Sequence, residues 1–338
     1  MNSKIFTDKN YYLIAEIGGN HQGSFKKAKE ICDLAIKSGA DCVKFQLYTA
    51  ENLVNKKINP ERYEHFKKFE LKKEEHIYLA KKCIDSGLDY TSSIWDLTMF
   101  KWIEPYLKFI KVGSGDLTSY NFLREFTKTN KPIVISTGLS FMEEIDNTIK
   151  FIRKCNPIYN EYGMLCVMQC TSMYPIKDSD ANLAIVREIS KLKNIIPGYS
   201  DHTIGLEALI NSISLGAKVL EFHFSDDKKN QTFRDHQISL EIDDVKELTN
   251  KCKKLISLIG NKIKVPLKIE TDNNHRVSFR RGIYPSRNIE KGEVIKHENI
   301  HCLRPNKGIC ASNYDLLIGK TSKVKIIKNK ELEWNMFD

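Results

Sequence analysis

Short apolar runs alternate with amphipathic helical segments eight times between residues 12 and 260, and few folds tolerate that pattern. The first run, 12–17, ends near an acidic residue and is followed by the turn-rich stretch 18–23. Ser24 then stands where a helix N-cap is expected, ahead of Ala28, Ile31, Cys32 and Ala35, which are spaced i, i+3, i+4, i+7. Gly39 follows as the glycine just past a helix end. The pattern repeats with runs at 41–46, 89–93, 107–112, 132–136, 163–169, 195–199 and 219–222. Helical stretches are predicted over 74–86, 95–106, 121–130, 142–152, 181–193 and 242–259. Eight alternations predict an α/β chain whose parallel strands close into a (β/α)8 TIM barrel. An open doubly wound sheet is the alternative, disfavoured because no G-x-G-x-x-G opens the first helix.

Past residue 260 the pattern changes. Residues 261–276 lack apolar periodicity and read as a linker between a barrel domain over 1–260 and a second, β-rich domain over 277–338. Its short β-like runs, 279–284, 293–296 and 323–327, are set between glycine turns. About 60 residues is little for an independent core, so this domain is expected to lean on a partner surface.

Composition narrows the function classes. The chain of 338 residues carries a net charge of +10, spread along it with no basic block, so no nucleic-acid groove is expected. No apolar run approaches the ~20 residues that span a bilayer, and the polar residues 1–10 hold no signal-peptide core. Nine cysteines without a C-x-x-C pair read as reduced thiols, and hence as a cytoplasmic protein.

Active sites of such barrels lie at the carboxyl ends of the strands. There the chain places Glu16; Lys44 and Gln46; Ser93; Lys111, Ser114 and Asp116; Ser136; Ser172 and Tyr174; Ser200 and His202; and His223. His202 and His223 are 223 − 202 = 21 residues apart, one βα repeat, so neighbouring parallel strands would aim both imidazoles at one cation. Two lysines among hydroxyls suit a phosphorylated, carboxylated substrate. Each residue also has a plainer reading: Lys44 as a surface lysine, Gly113–Gly115 as a tight turn, either histidine as a hydrogen-bonded structural residue. Glu16 fits a plain reading less well, because a buried carboxylate needs a partner. His65, His76, His275, His297 and His301 are expected to be solvated; in the loop after the eighth strand, His236 is within reach of the site and Asp235 is the better candidate.

The motifs IAEIGGNHQGS (14–24), GADCVKFQ (39–46), KVGSGDL (111–117), STGLS (136–140), QCTSMYP (169–175), YSDHTIG (199–205) and EFHFS (221–225) resemble the sialic acid synthase family. FRRGIYPSRNIEKGEVI (279–295) and CLRPNKGI (302–309) resemble its antifreeze-like (SAF) domain. The resemblance implies a transferase that condenses phosphoenolpyruvate with an N-acylated hexosamine, N-acetylmannosamine being favoured. The product is a nine-carbon 2-keto sugar acid of the N-acetylneuraminate type. It further implies a divalent cation, typically Mn²⁺ with Mg²⁺ or Co²⁺ as substitutes, held by His202 and His223. Lys44, Ser93, Lys111, Ser114, Ser136, Ser172 and Ser200 match the positions that hold phosphoenolpyruvate. Glu16, Gln46, Asp116, Tyr174 and Asp235 match those that handle sugar and water, Asp116 toward the sugar and Glu16 toward the water. A domain-swapped homodimer is implied, in which Arg304, with Phe279 beside it, meets the N-acyl group. Ser172 and Asp116 replace the Asn and Glu of several relatives, and 226–234 lacks a Pro-Gly common there; these departures bear on the sugar. Diacetamido-trideoxy acceptors leading to legionaminic or pseudaminic acid are the alternative. A synthase using a phosphorylated aldose and a non-catalytic sugar-binding barrel are the remaining rivals.

Overall fold

A computed structural model describes residues 5–229, 231–261 and 263–338. Eight parallel strands close into a barrel in sequence order: β1 (Tyr12–Glu16), β2 (Cys42–Leu47), β3 (Asp89–Ile94), β4 (Ile110–Val112), β5 (Ile133–Ser136), β6 (Leu165–Cys170), β7 (Ile196–Ser200) and β8 (Val219–His223). β1 pairs with both β2 and β8, which completes the ring and excludes the open sheet.

Strand parity sorts the barrel interior. Alternate residues of a strand face opposite sides of the sheet. Tyr12, Ile14, Cys42, Phe109, Val134, Cys166, Met168, Ile196 and Val219 form one buried apolar cluster, separate from the larger one shared by the sheet's outer face and the helices. Phe6 joins the inner cluster edge-on to Tyr12 and Phe109, at centroid distances of 5.2 and 5.3 Å. The same parity, continued toward the carboxyl ends, turns polar at Glu16, Lys44, Lys111, Ser136, Ser200 and Glu221. An apolar floor therefore lies under a polar site.

The first helix, α1 (Phe25–Ser38), is bounded as predicted. Ser24 Oγ accepts from the Lys27 amide, and Gly39 takes φ 99°. Between β2 and α4 (Lys73–Asp85) the chain adds α2 (Ala50–Leu53) and α3 (Pro60–Phe69), neither expected from the sequence. The helix predicted over 95–106 spans only Leu97–Ile103 before a 3₁₀ turn. That predicted over 121–130 spans Tyr120–Phe126, then a 3₁₀ turn that ends at Asn130 in the left-handed region. That predicted over 181–193 contracts to Ala184–Ile189.

His76 is a correction: it is 1% exposed, not solvated. It shares the inner face of α4 with Leu79, Ala80 and Cys83, and its Nδ1 has no hydrogen-bond partner. Burial pulls its pKa down to about 3, and that of buried His21 to about 4. Both folded-state values lie below the unfolded one near 6.5, so the unfolded chain takes up these protons first as pH falls. The stability they confer is complete above about pH 6.5 and is lost progressively as pH falls to about 3, by roughly 5 kcal/mol for the pair at pH 4.5. In urea titrations at pH 7.5 and 4.5, His76→Gln is expected to halve the part of this loss due to the pair. A loss identical to that of the parent protein would refute the assignment.

The chain divides into two compact units, Met1–Gly260 and Asn261–Asp338. The segment expected to be a bare linker contains the short helices Lys268–Asp272 and His275–Ser278; Glu270 caps the first by accepting from the Leu267 amide. The second unit has its own apolar core, built around Ile283, Ile289, Ile295, Ile300, Ile309 and Leu317. Its two strands, Gly282–Pro285 and Ile300–Leu303, pair antiparallel. The runs expected at 293–296 and 323–327 form only isolated bridges, Val294↔Thr321 and Ile289↔Ile326. Among the described residues, no helix is long and apolar enough to cross a membrane.

Candidate active site

Residues from all eight strand ends line one cavity of about 460 Å³. Every candidate on the barrel lines it: Glu16, Lys44, Gln46, Ser93, Lys111, Ser114, Asp116, Ser136, Ser172, Tyr174, Ser200, His202, His223 and Asp235. The two candidates outside the barrel, Phe279 and Arg304, lie in the second unit, where the Arg304 guanidinium sits 5.5 Å from the centre of the Phe279 ring.

The lysines are buried, which disposes of the surface reading for Lys44. Lys44 Nζ lies 2.9 Å from Glu16 Oε2 and 3.4 Å from Glu221 Oε2, and donates to Ser93 Oγ at 3.2 Å. Lys111 Nζ donates to Ser136 Oγ at 2.7 Å and lies 3.5 Å from Glu221 Oε1. Burial works against the Lys44 charge, yet Glu16 and Glu221 outweigh it and hold its pKa above the usual value. For Lys111 burial prevails, and its pKa is lowered.

The two carboxylates differ. Burial raises the pKa of Glu16, Lys44 opposes it, and the charge on Glu221 raises it again. Burial also works against Glu221, but Lys111 and Lys44 hold it down to about 2. Glu221 keeps its charge, and Glu16 is the partner that accepts a proton more readily. Burial raises Asp116 and Asp235 as well.

Beside the lysines, Ser114 Oγ accepts from the Gly138 amide at 3.0 Å. A Cβ built on Gly138 would come within 2.2 Å of Ser172 Oγ and 2.9 Å of Ser114 Oγ, so only glycine lets these hydroxyls converge. Hydroxyls, an amide edge and two ammonium groups make a cradle for a multiply charged anion. The turn Gly113–Gly115 thus carries part of the cradle.

The imidazoles face each other across the cavity, ring centroids 5.4 Å apart. The Thr171 carbonyl lies 2.7 Å from His202 Nδ1, which assigns a proton to Nδ1 and leaves Nε2 as the ring atom that can bind a cation once deprotonated. Burial works against the His202 charge, but Cys170, the Thr171 carbonyl and Asp201 outweigh it and hold its pKa above the usual value. His223 Nδ1 is buried without a hydrogen-bond partner, 3.8 Å from Asp235 Oδ2. Burial, then His202 and Lys44, hold the pKa of His223 well down, so it stays neutral. Among the described residues no group of three or more His, Cys, Asp and Glu side chains forms a closed metal cage. Two converging imidazoles, each a ligand in its neutral form, fit a divalent cation that also needs oxygen ligands from substrate or water. Tyr174 packs on both rings, at 4.0 and 5.6 Å, with the Arg234 guanidinium 4.4 Å from the tyrosine ring centre.

Some lining residues were not singled out from the sequence. Glu221 is the foremost: it was quoted only within a motif, although it shares the inward parity of Val219 and His223. Arg62, His65, Phe66 and Phe69 come from the unanticipated α3, and Phe233 from the loop after β8. Phe233 lies 4.9 Å from Phe69 and 6.0 Å from His65, and with Phe66, Tyr48 and Trp95 it forms an aromatic wall. His236 does not line the cavity; its Nδ1 pairs with Ser225 Oγ at 2.6 Å.

Fold and cavity together define a (β/α)8-barrel protein with an anion cradle and an imidazole pair at the carboxyl ends of its strands. The chain belongs to the NeuB family, which matches residues 31–264, and the SAF domain matches 280–338. It is 32% identical over 340 residues to the N,N'-diacetyllegionaminic acid synthase of Campylobacter jejuni, covering 96% of this chain and 99% of that protein. It is 33% identical over 281 residues to the human N-acetylneuraminate-9-phosphate synthase, covering 79% of this chain and 76% of that one. The crystal structure of an N-acetylneuraminic acid synthetase from Leptospira borgpetersenii in complex with citrate superposes with a TM-score of 0.73 at 23% identity, over 79% of this chain and 91% of that one, a likeness of fold. The chain is an enzyme of the sialic-acid-type synthase family.

Proposed function

We propose that this enzyme joins phosphoenolpyruvate to the open-chain aldehyde of an N-acylated hexosamine, consuming water and releasing phosphate and a nine-carbon 2-keto sugar acid. The observation that carries this reading is the pairing of two buried lysines and a serine cradle with two buried imidazoles in one cavity. Lys44, Lys111 and the hydroxyls of Ser93, Ser114, Ser136, Ser172 and Ser200 hold the phosphate and carboxylate of phosphoenolpyruvate, placing C3 toward the histidines. The C2–C3 π electrons form the bond to the aldehyde carbon, and C2 becomes electron-poor. Water adds to C2, one of its protons being taken by Glu16 to be returned to the aldehyde oxygen, which becomes a hydroxyl. The C2–O bond to phosphate breaks, C2 becomes the ketone, and the second water proton leaves with the phosphate. His202 and His223 would hold a divalent cation, Mn²⁺ first, which would supply electrostatic stabilisation of negative charge at the aldehyde oxygen. Gln46, Asp116, Tyr174 and Asp235 bind the acceptor's hydroxyls. The enzyme works in the cytoplasm as a domain-swapped dimer, in which the exposed pair Phe279 and Arg304 serves the acceptor's N-acyl group in a second copy of the chain.

N-acetylmannosamine is the first acceptor. A diacetamido-trideoxy hexose is the second, favoured by the aromatic wall of Phe66, Phe69 and Phe233, against which a methyl and a second acetamido group would bury apolar surface. The test is incubation with phosphoenolpyruvate, Mn²⁺ and a panel holding both acceptors and N-acetylmannosamine 6-phosphate, following phosphate release and product mass. Stoichiometric phosphate and a product of acceptor-plus-pyruvate mass are expected with one of the two unphosphorylated sugars. No phosphate with any of them would overturn the proposal.

A further inference from the structure

We propose that Glu221 is the positioning residue of the anion cradle: its carboxylate, anchored by Ser200 and seated between Lys44 Nζ and Lys111 Nζ, pairs with both lysines and holds them side by side for the incoming substrate. The inference rests on the reading of that cradle as the phosphoenolpyruvate subsite.

Glu221 belongs to the strand that carries His223, yet its contacts run to the lysines. Oε1 accepts from Ser200 Oγ at 3.0 Å, across the β7–β8 register that pairs Ser200 with Glu221. Oε1 lies 3.5 Å from Lys111 Nζ and Oε2 3.4 Å from Lys44 Nζ. Oε2 accepts no hydrogen bond, so Coulomb attraction alone ties it to Lys44. The lysines are not equally provided for. Lys44 has a second and closer carboxylate, Glu16 at 2.9 Å. Among the described residues, Glu221 is the one carboxylate within ion-pair distance of Lys111; its other partners, Ser136 Oγ and the Val112 carbonyl, are neutral.

A carboxylate beside an anion site looks counterproductive, since it repels the substrate. Two opposing effects decide the matter. Glu221 weakens the direct attraction of the cradle for an anion by one charge. Without it, two buried ammonium groups would face each other, and Lys111 would keep only the weaker influences of Cys170 and Glu16 to offset its desolvation. The groups facing Lys111 are Glu16 from β1, Lys44 from β2, Ser136 from β5, Cys170 from β6 and Glu221 from β8. Burial already lowers the Lys111 pKa and Lys44 lowers it further, while Glu221 is the strongest opposing influence. Removing that charge favours a neutral amine, which cannot hold a phosphate or carboxylate. The loss of an ammonium outweighs the relief of repulsion.

The charge and the shape of Glu221 are separable by Glu221→Gln and Glu221→Asp. Binding of phosphoenolpyruvate is followed by calorimetry with Mn²⁺ and no acceptor, from pH 6.5 to 9.5, on the full chain. Glu221→Gln is expected to weaken binding about tenfold or more at pH 7.5 and to start its alkaline loss about one pH unit or more below that of the parent. Glu221→Asp keeps the charge and is expected to keep the parent's alkaline limit, with affinity reduced only a few-fold. Parent-like affinity and pH limit in Glu221→Gln would overturn the proposal. So would a uniform, pH-independent loss of the same size in both variants, the mark of a merely structural role. Should Glu221→Gln fail to fold, the aspartate variant decides: an alkaline limit as low as that expected for the glutamine overturns the proposal, and a parental one upholds it. Absence of phosphoenolpyruvate binding by the parent protein would instead overturn the functional reading, and this inference with it.

Discussion

Replacing His223 with alanine is expected to lower kcat by about 10³-fold in Mn²⁺-limited buffer, the several kcal/mol that a bound cation supplies to a developing oxyanion. The expectation follows from what His223 lacks. It is a buried imidazole, 5% exposed, whose Nδ1 finds no hydrogen-bond partner. Burial, His202 and Lys44 all act against its protonation, so it presents a lone pair rather than a charge. His76 is also buried without an Nδ1 partner, but it stands among apolar side chains on α4, whereas His223 lines the polar cavity with the His202 ring 5.4 Å away. Truncating His223 therefore removes a ligand while breaking no protein hydrogen bond, and thermal unfolding without metal should shift little. Mn²⁺ titration in the absence of substrate should show the affinity falling by at least 10²-fold, with excess Mn²⁺ recovering part of the rate. Full activity of the alanine variant after chelator treatment would remove His223 from the metal site.

How far the chain can be read from its residues follows from strand parity. The strand ends were legible because each apolar run stops at a polar residue, and because 21 residues separate two histidines at the ends of adjacent strands, His202 two residues past β7 and His223 closing β8. Glu221 escaped that reading because it lies one inward step below its strand's end, inside Val-Leu-Glu-Phe-His, flanked by outward-facing Leu220 and Phe222. Counting by twos from Val219 would have found it. His76 was misread for a similar reason. Its spacing to Leu79, Ala80 and Cys83 is that of an apolar helix face, and a single polar residue on such a face is buried with it. The helices α2 and α3 were missed because 50–69 is polar and rich in lysine, with Tyr63 the only buried residue of α3. Their place is set by tertiary contacts, Phe69 against Phe233 and Tyr48 against Phe66, which no local periodicity reveals. In the second unit, pairing is carried by a two-stranded sheet and isolated bridges around an isoleucine core, so β-like runs overstate the strands.

Glu16→Gln is expected to reduce kcat by about 10²–10⁴-fold, the usual range for removing a positioned acid–base group, while phosphoenolpyruvate affinity changes only a few-fold. Two carboxylates lie near the same lysine, and their surroundings separate them. Lys111 and Lys44 together hold Glu221 at about 2, which disqualifies it as a proton acceptor near neutral pH. Glu16 feels one lysine, the repulsion of Glu221 and full burial, and its proton affinity rises. Gln46 Nε2 donates to its Oε1 at 2.7 Å, fixing the carboxyl plane. Glutamine preserves the shape and removes the basicity, and Lys44 keeps Glu221 as a counter-charge at 3.4 Å. The loss should therefore appear in kcat, measured by phosphate release, and hardly in calorimetric binding of phosphoenolpyruvate. Asp116 is the control, because it lines the same cavity with Ser119 Oγ as its hydrogen-bond partner. Asp116→Asn should act mainly on acceptor KM if its place is on the sugar. A parental kcat in Glu16→Gln together with a collapsed kcat in Asp116→Asn would exchange the two roles, because the proton of the attacking water needs one carboxylate within reach and the cavity offers these two with raised pKa values outside the histidine pair's own contact, Asp235.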